Sequence, residues 1–196
     1  MPRRFPSLKR FLFKTHQDLA TVCAGSVGPS DEKLTPLEKI TLLLEDRRFL
    51  QHLGIDCRAV IREGIKFISR QKHGGASTID MQFVRTQTDY RQSTLTRKIY
   101  EMWLAFLLQY RMEKKEILRS YLSVVYLGTG LKGVELTAYE LFNKSVDELS
   151  DYETAFVVAL MVYPRPRSEP PVWKQRVERR AAYGLDLLTR LGDRYE

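Results

Sequence analysis

The sequence predicts an all-α protein, and three observations support this class. Apolar residues recur at three- and four-residue spacing along most of the chain. Local signals mark helix boundaries, such as the capping sequence at 35–38 and the prolines at 164 and 166. No segment alternates between apolar and polar residues over the length of a strand. With 196 residues, 43% of them hydrophobic, the chain has the size and composition of one globular domain.

The first 33 residues are interpreted as a short amphipathic arm and a linker, and residues 34–196 as the folded domain. Glycine, serine and proline at 25–30 indicate the linker. The chain contains neither the apolar core of a clear export signal nor the roughly 20 apolar residues of a spanning helix. A soluble or peripheral protein is therefore expected. The arm mixes cations with aromatic residues, namely Arg3, Arg4, Phe5, Lys9, Arg10, Phe11, Phe13 and Lys14.

Five helices are predicted along the domain. The first begins at 35–38, where a threonine, a proline and a glutamate stand in the order of a capping box, and it runs to Glu45 and Asp46. The others cover 57–72, 95–121, 149–161 and 173–190. The 57–72 helix carries a basic stripe beside an apolar one, formed by Arg58, Arg62, Lys66 and Arg70 and by Ile61, Ile65 and Ile68.

The charge of the chain favours an anionic partner. Lysine and arginine number 32 against 24 acidic residues, a formal charge of +8, which suits nucleic acid, an acidic membrane leaflet or a phosphorylated substrate. Cys23 and Cys57 are too few for a disulfide framework and lack the spacing of a zinc or redox site. The cysteines therefore leave the redox compartment open.

Three segments could carry chemistry. Glu45 and Asp46 stand at the end of an apolar helix, where a carboxylate suits general acid or base catalysis, although a solvated helix end is the alternative. Ser77 and Thr78 follow glycines at a predicted helix start, where free backbone N–H groups bind phosphate or sugar, unless the segment is only a turn and a cap. In Arg97-Lys98-Ile99-Tyr100-Glu101, the choice is between an i,i+4 salt bridge and a clamp for pyrophosphate.

Five motifs follow one another across residues 34–170. They are Glu45-Asp46-x-x-Phe49-x-x-His52-x-Gly54, Gly75-Ala76-Ser77-Thr78-Ile79-x-x-Gln82, Arg97-Lys98-x-x-Glu101, Ile117-Leu118-x-x-Tyr121-Leu122-x-x-x-Tyr126-x-Gly128, and Glu153-x-Ala155 leading to Pro164-x-Pro166. In order and spacing, these motifs resemble glycosyltransferase family 51, the peptidoglycan glycosyltransferases, and the resemblance covers most of the chain.

The resemblance implies a lysozyme-like helical domain with a smaller, membrane-facing lobe. It also implies an enzyme that polymerises lipid II at the outer face of the bacterial cytoplasmic membrane, in the cell envelope. The expected partners are lipid II, the growing glycan strand and an anionic membrane surface, and not nucleic acid; the sequence leaves protein partners open. Members of the family normally have an N-terminal spanning helix, where this chain has only the basic arm.

Carried to the matching positions, the resemblance makes Glu45 the base that deprotonates the acceptor sugar's 4-hydroxyl. Asp46, Phe49 and His52 would shape that site. Glu101 would act with cations on the donor pyrophosphate, or on a divalent cation bound to it, magnesium or manganese; no organic cofactor is implied. The remaining substrate-binding residues would be Ser77, Thr78, Gln82, Arg85, Arg97 and Lys98.

Departures from the family pattern keep other functions open. Asp80 stands where threonine is common and would add a negative charge near the pyrophosphate, and Ser123 replaces an asparagine. The rival interpretations are a non-catalytic lipid II-binding or regulatory relative, a lysozyme-like glycan hydrolase and a nucleic-acid-binding module. Elsewhere in the chain, side chains are interpreted as structural or solvated: His16 and His73, Trp103 and Trp173, and a solvated helix face formed by Arg176, Arg179 and Arg180.

Overall fold

Helices form most of the secondary structure, as the sequence predicts. The computed structural model describes residues 8–69, 75–90, 92 and 94–195; the start of the predicted arm, Arg70, Lys72 and His73 lie outside these residues. The helices are α1 (Leu8–Ala24), α2 (Pro36–Glu45), α3 (Cys57–Ile68), α4 (Ile79–Thr88), α5 (Leu95–Leu108), α6 (Lys114–Val124), α7 (Val134–Phe142), α8 (Asp151–Ala159) and α9 (Pro171–Leu191). A small antiparallel sheet pairs β1 (Tyr126–Gly128) with β2 (Leu131–Lys132).

Two groups of helices share one hydrophobic core. In one group α2 packs against α8 and α9, and in the other α4 packs against α1, α5 and α6. A largely buried ion pair joins the groups, since Arg119 Nε of α6 donates to Glu38 Oε1 of α2 over 2.7 Å. Fully buried apolar side chains from both groups fill the space between the helices, among them Ile40, Leu42, Phe83, Leu104, Leu118 and Val158.

The bounds of α2 follow from its local sequence. Thr35 caps the first turn by accepting from the Glu38 backbone N–H, and the Glu38 carboxylate accepts in return from the Thr35 N–H. The helix ends because Asp46 leaves the helical region, with φ −153° and ψ 77°. Glu45 is therefore the last helical residue, at the edge of the core.

The predicted arm contains α1, which packs on α4 and α5. Thr15, Leu19 and Val22 face this core, while Leu12 and Phe13 are exposed. The segment after α1 runs along α6, where the Val27 N–H donates to the Ser120 hydroxyl over 3.1 Å. Within the described ranges, no helix combines the length and the apolar character needed to cross a bilayer.

The prediction of one continuous helix over 95–121 is wrong. The chain turns after Leu108 and starts a new helix at Lys114, so α5 and α6 are separate. Glu113 caps α6 in a capping box with Glu116, a signal that the apolar period of the segment conceals. Near the end of α6, the exposed Ser123 hydroxyl donates to the Ser120 carbonyl over 2.9 Å, so this hydrogen bond lies within its own helix.

Candidate active site

A cavity of about 790 Å³ opens between the end of α2, the start of α4 and helices α3 and α9. It brings together residues from the first two motifs, which begin thirty positions apart in the chain, at Glu45 and Gly75. Its wall combines carboxylates, hydroxyls and guanidinium groups, so it is suited to a polar, charged ligand. The lining includes Glu45, Asp46, Ser77, Thr78 and Gln82, together with Arg48, Asp56, Arg62 and Arg180.

Glu45 faces this cavity from the last turn of α2, with its side chain 11% exposed. Arg180 Nη2, from α9, donates to Glu45 Oε1 over 2.6 Å and to the Leu44 carbonyl over 3.3 Å. The expectation that Arg180 lies on a solvated helix face is therefore wrong. No local pattern could have revealed this pair, because its members are 135 positions apart in the sequence.

Asp46 and His52 join the end of α2 to the start of α4. His52 Nε2 lies 3.0 and 3.2 Å from the two carboxylate oxygens of Asp46, and the Ile79 backbone N–H donates to Asp46 Oδ2 over 3.2 Å. Phe49 is fully buried and meets the His52 ring edge to face at 6.1 Å. Of these motif residues only Asp46 lines the cavity; Phe49 and His52 support its wall from the core.

Thr78 is the N-cap of α4 and ties the second motif to the first. Its hydroxyl accepts from the Met81 backbone N–H and donates to the Gly54 carbonyl over 2.7 Å. Gly54 adopts φ +80°, and a Cβ at this position would lie 2.2 Å from the Ala105 carbonyl oxygen. The glycine that closes the first motif is thus required by backbone conformation and by close packing on α5.

Glu101 lies at the centre of a cationic cluster, which it forms with Arg85 and Arg97. Its carboxylate is fully buried and accepts from Arg97 Nη1 over 2.6 Å and from Arg85 Nε over 3.1 Å. The i,i+4 salt bridge considered for Arg97 and Glu101 is therefore present, but inside the protein and shared with a second arginine. The three side chains together retain one net positive charge.

Ser77 connects this cluster to the cavity. Its hydroxyl lines the cavity and lies 3.2 Å from Lys98 Nζ and 3.5 Å from Arg85 Nη2. These distances bring two cationic groups up to the cavity wall. Lys98 and Arg85 are thus in reach of an anion that binds near Ser77.

Tyr121 provides a second link between Glu45 and the cationic cluster. The phenol is buried and donates to Gln82 Oε1 over 2.7 Å. Burial raises the pKa of Tyr121 far above its usual value, the charge of Glu45 raises it further, and Arg85 opposes both effects. Gln82 lines the cavity, so the Tyr121 phenol reaches the cavity wall through this amide, and the charges of both Glu45 and Arg85 act on it.

The model of the transglycosylase family matches residues 27–189, a range that contains the cavity and the cationic cluster. The chain belongs to the transglycosylase family. It is 36% identical over 149 residues to a protein from Cupriavidus necator that carries the name transglycosylase. The aligned residues cover 76% of this chain and 64% of that protein. It is also 40% identical over 148 residues to penicillin-binding protein 1A of Aquifex aeolicus. This alignment covers 71% of this chain and 20% of that protein.

The chain therefore spans less than two thirds of the length of the relatives it matches. Penicillin-binding protein 1A of Clostridium tetani, 34% identical over 133 residues, is covered over 17% of its length. All three relatives have names that fit a transglycosylase domain in peptidoglycan biosynthesis.

Asp80 occupies a different place in this transglycosylase from the one expected. It does not line the cavity; it is fully buried, and Lys114 Nζ donates to its two oxygens over 2.9 and 3.1 Å. Gln109 Nε2 also donates to it over 2.8 Å, and the Lys114 ammonium lies 4.3 Å from the centre of the Phe49 ring. The charge expected near the pyrophosphate is thus matched inside the core, where α4 meets the start of α6.

The same region contains a group with the spacing of metal ligands. Among the described residues, donor atoms of Asp46, His52 and Asp80 all lie within 4.8 Å of one another, and His52 Nδ1 is 3.9 Å from Asp80 Oδ2. Lys114 already supplies a cation to Asp80, so the carboxylates have a counter-charge without a metal. Burial raises the pKa of Asp80 and lowers the pKa of Lys114, which makes each group depend on the other for its charge.

This pair leads to a stability prediction. Asp80→Thr leaves a buried ammonium without its counter-charge, and we expect the free energy of unfolding to fall by about 3–5 kcal/mol. Adding Lys114→Met removes the stranded charge and should recover at least half of the loss. Urea unfolding of the two single variants and the double variant measures the coupling. Additive losses would mean that the two groups do not depend on each other.

Proposed function

We propose that this transglycosylase polymerises lipid II into glycan strands and releases undecaprenyl pyrophosphate. The observation that carries the proposal is the position of Glu45: its carboxylate lines a 790 Å³ cavity whose wall also includes the Ser77 hydroxyl, which two cationic groups approach. A general base, room for sugar units and cations for a leaving phosphate are the parts that glycosyl transfer requires.

Glu45 acts as the general base. The 4-hydroxyl oxygen of the acceptor sugar attacks the anomeric carbon of the donor while Glu45 takes the hydroxyl proton. The bond between the anomeric carbon and the pyrophosphate oxygen breaks, and its electron pair leaves with undecaprenyl pyrophosphate. Because attack and departure occur on opposite faces, the configuration at the anomeric carbon inverts.

The cationic cluster stabilises the leaving group. Negative charge grows on the pyrophosphate as the bond breaks, and preorganised cations lower the barrier because they need not reorient at that moment. Lys98 and Arg85 provide these charges at the Ser77 side of the cavity, and Glu101 holds Arg85 and Arg97 in place. Arginine is well suited to this role because its fork can contact two phosphate oxygens.

A divalent cation, magnesium or manganese, would add charge at the same pyrophosphate. Glu101 is a poor sole ligand for it, since both of its oxygens accept from Arg85 and one also accepts from Arg97. We propose that such a cation binds chiefly through the pyrophosphate oxygens of the substrate.

One polymerisation assay tests the function. Purified protein is incubated with labelled lipid II, detergent and magnesium or manganese, with a chelator in a parallel arm, and the glycan products are separated by size. We expect long strands that muramidase degrades. Absence of polymer across detergents and cations would favour a non-catalytic, lipid II-binding role. Release of reducing ends from finished cell wall would favour a hydrolase, and a salt-sensitive shift of duplex DNA a nucleic-acid-binding module.

We further propose that the enzyme works on an anionic membrane surface, at the outer face of the bacterial cytoplasmic membrane, and contacts it through α3. This helix exposes Ile61 and Ile65, which are 63% and 59% exposed, beside the exposed cations Arg58 and Arg62. An exposed apolar stripe with adjacent cations is typical of helices that lie in the headgroup region. With α3 on the membrane, the cavity beside it would lie next to lipid-linked substrate.

Flotation with vesicles tests the membrane contact. Because each cation near an anionic surface is worth about 1 kcal/mol, Arg58→Ser with Arg62→Ser should weaken binding to anionic vesicles by roughly tenfold or more. Lys132→Ser with Lys174→Ser, on exposed positions of β2 and α9, is the matched control. Equal binding of the wild type to neutral and anionic vesicles would contradict an electrostatic contact.

A further inference from the structure

Arg180 contacts the carboxylate of Glu45. Its guanidinium approaches the carboxylate from α9 and donates to one oxygen only, Glu45 Oε1, over 2.6 Å. The same Nη2 atom also contacts the Leu44 carbonyl at the end of α2, over 3.3 Å. Both side chains are largely buried, 22% exposed for Arg180 and 11% for Glu45, and both line the cavity. The second carboxylate oxygen has no such partner from α9.

The packing of α9 on α2 makes this contact possible. Gly184 lies one turn after Arg180, and a Cβ at this position would stand 3.0 Å from Leu44 Cδ1 and 3.2 Å from Ile40 Cγ2. The glycine thus allows the two helices to approach closely beside the cavity. Nearby, Arg47 Nη2 contacts the Tyr183 hydroxyl over 2.9 Å. The end of α2 is therefore held against α9 along a full turn.

One feature of Arg180 is unfavourable for stability. Its Nε is buried, yet it donates to no group within the described part of the chain. A buried donor without a hydrogen-bond partner has lost the hydrogen bond that water gives it in the unfolded chain. This loss lowers the stability of the folded protein. The position of Arg180 is therefore not explained by the hydrogen bonds of this nitrogen.

We propose that Arg180 is a positioning residue for catalysis, an inference that rests on the proposed function. It holds Oε1 of Glu45, fixes the plane of the carboxylate and presents the other oxygen to the acceptor hydroxyl. Proton transfer and attack require the base within hydrogen-bond reach of that hydroxyl at the correct angle. A carboxylate that rotates freely would meet this requirement only part of the time.

The test compares three variants in the lipid II polymerisation assay. Arg180→Met removes the contact while keeping much of the side chain's bulk, Arg180→Lys retains one charged donor, and Arg179→Met is the control on an exposed neighbour. For Arg180→Met we expect kcat to fall about 10- to 100-fold, because misplacing a catalytic group costs that much, while KM changes by less than about threefold. Arg180→Lys should recover part of the rate, and Arg179→Met should match wild type.

Two further measurements separate positioning from folding. Thermal unfolding gives the folded fraction of each variant, and added guanidinium is expected to restore part of the rate of Arg180→Ala. A fall in rate that only follows the folded fraction, or a change confined to KM, would overturn the positioning role. Full activity of Arg180→Met beside an active wild type would also overturn it and leave the proposed function standing. A wild type without polymerase activity would overturn both.

Discussion

Glu45→Gln is expected to abolish glycan polymerisation while leaving the fold intact. Glutamine has nearly the same size, and its amide oxygen can still accept from Arg180 Nη2, so the end of α2 should keep its structure. It cannot take a proton, and the loss of a general base lowers rates by about 10²- to 10⁴-fold. Initial rates from labelled lipid II, together with circular dichroism and the unfolding temperature, measure the two effects separately.

A matched control is available on another helix. Glu140→Gln makes the same chemical change on the exposed face of α7 and should leave the rate unchanged. If Glu45→Gln kept more than about a tenth of the wild-type rate, the expected effect of removing a base would be missing. Asp46, the adjacent carboxylate on the cavity wall, would then be the next candidate for the base.

Glu101→Gln is expected to lower both stability and turnover. The glutamate is fully buried and neutralises part of the charge of Arg85 and Arg97, so its removal leaves two cations, of which Arg97 is largely buried and Arg85, 38% exposed, is partly screened by water. Breaking a buried ion pair from one side costs about 3–5 kcal/mol. The arginines should also separate, and we expect turnover to fall about tenfold or more because the preorganised charge is lost.

The two consequences are measured in different ways. Urea unfolding gives the loss of stability, and turnover is measured at a temperature where the variant is fully folded. Glu101→Asp, which retains the charge on a shorter side chain, should lie between the wild type and Glu101→Gln in both measurements. A near-normal rate for folded Glu101→Gln would remove this glutamate from the catalytic machinery, and its role would be structural.

Much of the fold follows from local sequence. The capping box of Thr35 and Glu38 is encoded within four residues and begins α2 where the pattern predicts it. Apolar periodicity also predicts the helices that become α3, α8 and α9 to within a few residues. Apolar periodicity does not reveal the break between α5 and α6, because the period continues across Glu113; the capping box at Glu113 is the local signal for this break.

The candidate site likewise combines residues that local motifs identify with contacts that only the folded chain forms. The motif order identifies Glu45, Asp46, Ser77 and Gln82, and the structure brings all four to one cavity. The roles of the other predicted site residues depend on distances that no motif contains. His52 lies behind the cavity wall.

The helical class, the start of α2 and the identity of the motif residues follow from the sequence alone. These depend on residues that are close together in the chain, where capping and periodicity act. The folded chain was needed to show that Arg180 contacts Glu45, that Lys114 neutralises Asp80 and that Arg85 joins Arg97 at Glu101. Helix packing brings most of these partners together from distant parts of the chain, and the energy of an ion pair depends on burial and distance.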